Sequence, residues 1–341
     1  MNTAVPTRRS VGPASRTSVP SRKHRRGSLR PRAATLGLLV SLLSTIPTPT
    51  LGEEPFKVGF ASNLLVDVNE NDARASMKAW GQSVAKELHI PLGPEPVLLR
   101  DRDHAWRAFR NKEVDAAGLT TPDFDVVRRQ VEFDPILVTR VGQQVTERYL
   151  LLVHRNGPVK SLADLRDRRL IVHAVSRTCL APLWLDTRLL ECGLAPISRI
   201  TSHRTEVTKL AKAVLPVFFQ KAEACLVTQN GFATMAELNP QVGKELRVLE
   251  ASPDLVPTVF VLRADFNPSY RDRLIQGVKD LDQSPAGRQI LTVFQGEDMV
   301  DAPSAYLEAT LALIGAQARG QTDPTDTHGT PAATMGVGAS P

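Results

Sequence analysis

Apolar and polar positions follow one another along this chain in patterns that predict strands and helices in alternation from residue 53 onward. FKVGF and LIVHAV are short apolar runs typical of buried strands. Between such runs, apolar residues recur at intervals of three or four, as in the series Ala73, Met77, Trp80, Val84 and Leu88, which predicts an amphipathic helix. Strands and helices alternate in two successive units, so the pattern predicts an α/β fold.

The predicted elements are spread over most of the chain. The predicted strands cover residues 56–60, 94–99, 114–119, 136–141, 148–154, 170–175, 224–229 and 259–266, with one more at RVLEAS. The predicted helices begin near Asn71, Asp103, Cys179, Glu206, Tyr270, Ser284 and Ala305, and Ser161 caps a short turn. The segments TTPDF and Thr228 to Asn230 are predicted as turns that follow strands.

The two ends of the chain differ in composition from the part between them. Residues 1–34 carry nine basic and no acidic side chains, and residues 35–52 are uncharged. The apolar run LGLLVSLLSTI is shorter than the ~20 residues of a membrane span, so residues 1–52 are predicted to be an export signal, by the Sec or the twin-arginine route. No Cys follows within cleavage distance, so we expect a soluble periplasmic product without a lipid anchor. Residues 316–341 lack periodicity, which predicts a disordered tail.

The positive net charge of the chain comes from residues 1–34, within the predicted export signal. Lys and Arg total 42 against 36 Asp and Glu, but nine of the basic residues lie before residue 35. The remainder is slightly acidic, which excludes electrostatic binding of nucleic acid as the main activity.

Three cysteines, Cys179, Cys192 and Cys225, give an odd count. A helix of about 13 residues predicted between Cys179 and Cys192 would separate them by ~20 Å, so these two cannot pair. Pairing of Cys179 with Cys225 stays open, but we expect free thiols and no disulfide that folding requires.

Enzyme and metal motifs are absent from the sequence, which contains no GxxxxGK[ST], GxSxG, HExxH or CxxC. Small hydroxyl residues instead follow the predicted strands, where α/β proteins bind ligands. In HAVSRTCLAP a strand gives way to Ser176, Arg177 and Thr178 just before a helix, and a helix amino end attracts anions. The alternative is ordinary helix capping without a ligand. Three other strand ends carry hydroxyls: Ser62, Thr120 with Thr121, and Thr228.

Three stretches carry a resemblance to a known family: RYLLLVHRNGPVKSLADLRDRRLIVHAVSRTCLAPLWLDTRLLECGL, KAVLPVFFQKAEACLVTQNGFATMAELNP and AGRQILTVFQGEDMV. They resemble type II periplasmic solute-binding proteins, in the phosphate/phosphonate-binding branch that serves ABC importers. The resemblance covers residues 55–313. It implies two α/β lobes joined by two crossing segments, with a ligand cleft between them. The first lobe would comprise residues 55–143 and 258–315, and the second residues 144–257.

The resemblance also implies a site. The family's usual Ser-Thr-Ser-Gly turn, which grips the phosphonate, corresponds here to Ser176, Arg177, Thr178 and Cys179. The hydroxyl grip is retained in part, while Arg177 is expected to recognise a second acidic group on the ligand.

The remaining contacts expected from the resemblance come from both lobes. Ser62, Thr120 and Thr121 would belong to the first lobe and Thr228 to the second. Tyr149 lies on a crossing segment, where either a place in the cleft or a place in the core fits its position.

The expected function is that of an exported, monomeric solute-binding protein without a cofactor. It would capture a small oxyanion (phosphate, phosphite or phosphonate-like) by closure of two lobes and deliver it to a membrane ABC permease. A periplasmic ligand-sensing subunit for a signalling protein is the alternative. A rival class is an enzyme on the same fold that uses Cys179, whose pKa a helix amino end would lower. A structural module would bind no small molecule.

Overall fold

Two β-sheets organise the part of the chain that the computed structural model describes, residues 53–65 and 69–321. The predicted export signal and the end of the predicted tail, from residue 322, lie outside these residues. The strands are β1 Val58–Ala61, β2 Val97–Leu99, β3 Ala116–Thr120, β4 Phe133–Arg140, β5 Tyr149–His154, β6 Arg169–His173, β7 His203–Val207, β8 Ala224–Thr228, β9 Leu246–Ala251, β10 Thr258–Arg263 and β11 Asp298–Asp301.

Helices cover both sheets. They are α1 Glu70–Leu88, α2 Arg102–Arg110, α3 Thr121–Val127, α4 Ala181–Glu191, α5 Ile197–Ile200, α6 Leu210–Phe218, α7 Gln229–Leu238, α8 Pro240–Glu245, α9 Arg271–Lys279, α10 Pro285–Val293 and α11 Ser304–Gln321. Short 3₁₀ turns occupy Ser62–Leu64, Leu162–Leu165, Ser176–Thr178 and Leu281–Gln283. No helix in the described residues is long and apolar enough to cross a bilayer.

In each sheet three strands that pair in parallel lie at one end, and strands that pair antiparallel complete the other end. The first sheet has the order β11-β4-β10-β3-β1-β2, in which β1 pairs in parallel with β2 and β3, and β10 runs antiparallel to β3 and β4. The second has the order β7-β6-β8-β5-β9, in which β6 pairs in parallel with β7 and β8. We call the first sheet with its helices the first lobe, and the second sheet with its helices the second lobe.

Apolar residues on both faces of each sheet explain this layering. On β3, Ala117 and Leu119 pack on one side with Phe109 and Phe124, while Ala116 packs on the other with Leu262. Strands covered on both faces lose the strict polar alternation of a one-sided sheet, so β3, β5 and β8 read as continuous apolar runs.

Two crossing segments, residues 141–148 and 252–257, connect the lobes, and Glu147 and Leu255 form an antiparallel bridge between them. Helix α11 adds a third connection because it packs against α3 of the first lobe and α4 of the second. Leu307 lies in the core of the first lobe, whereas Ile314 lies in the core of the second. The carboxyl half of α11 therefore does not belong to the first lobe alone, to which residues 258–315 were predicted.

Several predicted elements differ from the structure. TTPDF is not a turn but the start of α3, where Pro122 at the first turn costs no hydrogen bond. Residues 206–215 are not one helix, because His203–Val207 forms β7 and α6 begins only at Leu210. Strand β11 was not predicted, and α11 continues to Gln321, beyond the predicted start of the tail at residue 316.

Candidate functional site

The four predicted turns all lie at the carboxyl ends of strands. The 3₁₀ turn Ser62–Leu64 follows β1, α3 follows β3, the 3₁₀ turn Ser176–Thr178 precedes α4 after β6, and α7 follows β8. Helix starts carry N–H groups without intrahelical partners, and such strand ends are where open α/β sheets bind ligands.

The two lobes meet at the carbonyl oxygen of Pro257. From the first lobe, the N–H of Thr121 donates to this oxygen at 2.8 Å. From the second, the thiol of Cys179 donates to it at 3.2 Å. The amino end of α3 and the turn before α4 are therefore brought to one place.

Arg177 connects the second lobe to the first. Its buried guanidinium forms an ion pair with Glu147 on a crossing segment. It also donates to Thr139 Oγ1 at 3.3 Å and to the carbonyl oxygen of Gln295 at 3.4 Å, both on the first lobe. The positive charge of Arg177 is thus paired with Glu147 within the protein, whereas the sequence led us to expect it to recognise a second acidic group of the ligand.

Glu147 is the buried partner of this pair, and the sequence did not identify it. Burial raises the pKa of Glu147, while the neighbouring Arg177 lowers it in part. One carboxylate oxygen bonds to Arg177, and the other, Oε2, has no hydrogen-bond partner among the described residues.

Tyr149 lies in the core rather than on the cleft surface. Its side chain is fully buried, and its hydroxyl donates to the carbonyl oxygen of Arg177 at 2.9 Å. Burial raises the pKa of Tyr149 well above its ordinary value, so the hydroxyl stays protonated and keeps donating. Tyr149 therefore positions the Ser176–Thr178 turn from behind.

Most of the predicted hydroxyls are bonded within the protein. Ser62 donates to the carbonyl of Arg100, Thr120 to the carboxylate of Asp123, Thr121 to the carbonyl of Val256 and Thr178 to the carbonyl of His173, and Thr228 caps α7 by accepting from the N–H of Gly231. Ser176 differs, because its hydroxyl makes no side-chain hydrogen bond with any described residue although the residue is only 6% exposed. Ser176 is the hydroxyl that the fold leaves available.

Asp123 places a carboxylate on the first-lobe side of the cleft. It accepts from Asn63 Nδ2 at 2.9 Å, from Thr120 at 2.8 Å and from Arg102 Nε at 3.3 Å. Its position three residues after Thr120 is the signal that places it beside that hydroxyl.

Cys179 is not an activated thiol. Burial raises its pKa to about 12, and the charge of Asp123 adds to the rise. The expectation that the helix amino end lowers this pKa is therefore wrong, because loss of hydration outweighs the helix dipole here. All three cysteines lie in the described residues, and all three are free thiols in the structure.

Solved structures of similar fold place this architecture in a known class. A protein of Xanthomonas citri bound to chloride ion is 16% identical, with a TM-score of 0.57 over 78% of this chain and 99% of that chain. A binding-protein component of an ABC phosphonate transporter from Pseudomonas aeruginosa is 11% identical (TM-score 0.53, 79% and 88%). PhnD1 of Prochlorococcus marinus, in complex with methylphosphonate, is 17% identical (TM-score 0.52, 77% and 98%). The fold is that of the two-lobed periplasmic binding proteins.

The family follows from the sequence match of residues 64–306 to the model described as ABC transporter, phosphonate, periplasmic substrate-binding protein. This chain belongs to that family. No curated protein sequence matches it. Its role is therefore to bind a small-molecule solute for an ABC transporter, and the family consists of binding proteins rather than enzymes.

Proposed function

We propose that the protein captures a small oxyanion, phosphate, phosphite or phosphonate-like, at the Ser176–Thr178 turn. The observation that carries the proposal is the hydroxyl of Ser176, which is almost buried at the meeting point of the lobes and is not used by the fold. A hydroxyl beside the unpaired N–H groups of a turn and of a helix start suits an anion.

The electrostatics of the cleft limit the ligand's charge. Arg177 is neutralised by Glu147, and Arg102 partly balances Asp123. The oxyanion is therefore held by neutral donors, from Ser176 and backbone N–H groups, rather than by an unpaired cation. Each hydrogen bond to a charged group contributes ~1.5 to 3 kcal/mol, so about three at the upper end of this range are needed for the ~8.2 kcal/mol of micromolar binding.

Capture works by closure of the lobes. The ligand stabilises the closed form because it accepts hydrogen bonds from both lobes there and from one lobe when the cleft is open. The closed monomer is then recognised by the permease. A sensor protein is the alternative partner, and stimulation of the permease's ATPase by the loaded protein in proteoliposomes, absent with the empty protein, would decide for import.

Thermal unfolding of the purified protein tests the ligand class. Phosphate, phosphite, methylphosphonate, sulfonates and carboxylates are compared at equal ionic strength, since screening changes any charged interaction. A ligand at 100 times its Kd stabilises the folded state by ~2.7 kcal/mol, which gives a clear shift of Tm. Stabilisation by carboxylates alone, or by no anion, would refute the proposal.

A further inference from the structure

An apolar cavity lies inside the first lobe, between its sheet and helices α1, α9 and α10. Its volume is about 110 Å³, and Trp80, Phe260 and Leu274 are among its mostly apolar lining residues. Protein interiors contain few voids larger than a water molecule. An engineered apolar cavity of ~150 Å³ stays dry and binds benzene. The present cavity has about three quarters of that volume and is of the order of size that a small apolar substituent fills.

The cavity extends to the cleft end of the sheet. Phe60 and Gly118 are partners in the register of β1 and β3, two residues before the turn Ser62–Leu64 and three residues before α3, respectively. Thr258 is paired with Thr120 at the end of β3, and Thr139 lies near the cleft end of β4. Thr139 also accepts the hydrogen bond from Arg177, so this one residue lines the cavity and contacts the second lobe.

Two glycines keep the cavity open. A Cβ atom on Gly118 would lie 3.2 Å from Leu64 Cδ1 and within 3.6 Å of Phe294, so a side chain there would crowd the cleft end. Gly81 lines the cavity from the interior of α1, where glycine weakens a helix relative to alanine. A Cβ atom at Gly81 would meet only Leu92, at an ordinary 3.4 Å. Backbone geometry thus does not require glycine at position 81, and its lack of a side chain leaves this part of the cavity lining open.

We propose that this cavity is the subsite for the apolar substituent of the ligand, which makes the ligand an organic oxyanion with a small aromatic or branched alkyl group. The inference rests on the proposed function, because the anionic group would bind at Ser176 in the adjoining cleft. The substituent enters the first lobe past Thr139. The subsite thus selects organophosphonates and similar organic oxyanions over inorganic ones.

Calorimetric titration of the full chain with orthophosphate, methylphosphonate and phenylphosphonate tests the inference. Burial of the ring should make phenylphosphonate bind at least about tenfold tighter than methylphosphonate. If the protein binds methylphosphonate but does not bind phenylphosphonate more tightly, the inference is wrong and the proposed function stands. Failure of all three to bind would refute the proposed function, and the inference with it.

Variants of α1 then test whether the cavity causes the preference for phenylphosphonate. Gly81→Leu fills the cavity and should abolish the preference for phenylphosphonate while methylphosphonate binding changes less than about twofold. Ala79→Leu, on the exposed face of the same helix, is the matched control and should bind as the parent does. Gly81→Ala provides a milder filling if Gly81→Leu does not fold. Persistence of the full preference in a folded variant at Gly81 would overturn the inference.

Discussion

Breaking the buried ion pair of Arg177 and Glu147 should destabilise the protein by an amount that follows from the burial of the two side chains. The side chains are 9% and 5% exposed, so neither charge is solvated when its partner is removed. Breaking a buried ion pair in this way costs about 3 to 5 kcal/mol. Arg177→Met should therefore lower the free energy of unfolding of the ligand-free protein by this amount at pH 7, because it leaves a buried carboxylate.

The pH dependence of this loss has a definite sign. Burial raises the pKa of Glu147, and removal of Arg177 takes away the charge that lowers it. A carboxyl whose pKa is higher in the folded state binds more protons there than in the unfolded chain, so its stabilising effect is present at low pH and is lost as pH rises through the folded pKa. Arg177→Met should therefore lose less stability at pH 5 than at pH 7.

Urea unfolding followed by tryptophan fluorescence measures these losses in a double-mutant cycle. Glu147→Gln in the Arg177→Met background should remove the pH dependence and restore stability, with a coupling energy of at least ~1.5 kcal/mol. Additive losses that are equal at pH 5 and pH 7 would show that the two side chains are solvated and that the reasoning is wrong.

Three further predictions concern the cleft. Ser176→Ala should weaken anion binding, measured by calorimetry, by ~1.5 to 3 kcal/mol with little loss of stability. The control is Ser161→Ala, which removes a capping hydroxyl elsewhere in the second lobe. This control should lower stability by ~1 kcal/mol and leave the affinity unchanged. The thiol of Cys179, with its pKa of about 12, should react slowly with a disulfide reagent at pH 8 while the exposed Cys192 reacts at once; rapid reaction of two thiols would contradict the burial. Asp123→Asn should tighten binding of an anion by ~1 kcal/mol or more, because it removes a like charge from the cleft, and weaker binding would show that Asp123 organises the donors.

Strands that are buried on both faces could be predicted from the sequence, whereas exposed edge strands could not. Strands β3, β5 and β8 are covered on both faces, so their apolar runs identify them without tertiary information. Strand β7 lies at the edge of its sheet and is mostly exposed, and its residues HRTEV carry no apolar signal. Strand β11, four residues at another edge, depends on pairing with β4. Edge strands owe their existence to a neighbour that is distant in sequence.

In the candidate site, likewise, the local turn could be predicted from the sequence, whereas side-chain partners that are distant in sequence could not. The turn at Ser176 was found because a strand end followed by a helix start is a local pattern. The sequence could not predict which hydroxyl stays free to bind a ligand, because the partners that occupy the others can be distant in sequence. Thr121, for example, donates its hydroxyl hydrogen to the carbonyl oxygen of Val256, 135 residues further along the chain. The partner of Arg177 is likewise set by the crossing of the segments and not by any local motif.

Helix α11 has a mechanical consequence for the lobe closure that we propose. A helix is stiff along its axis, and this one is in contact with α3 on one side of the hinge and α4 on the other. Rotation of the lobes therefore has to slide these helices past one another, as shear, while the crossing segments bend as hinges. Packed side chains move in discrete rotameric steps. The opening angle should thus take a few preferred values, set by the contacts of Leu307 and Ile314, instead of varying continuously.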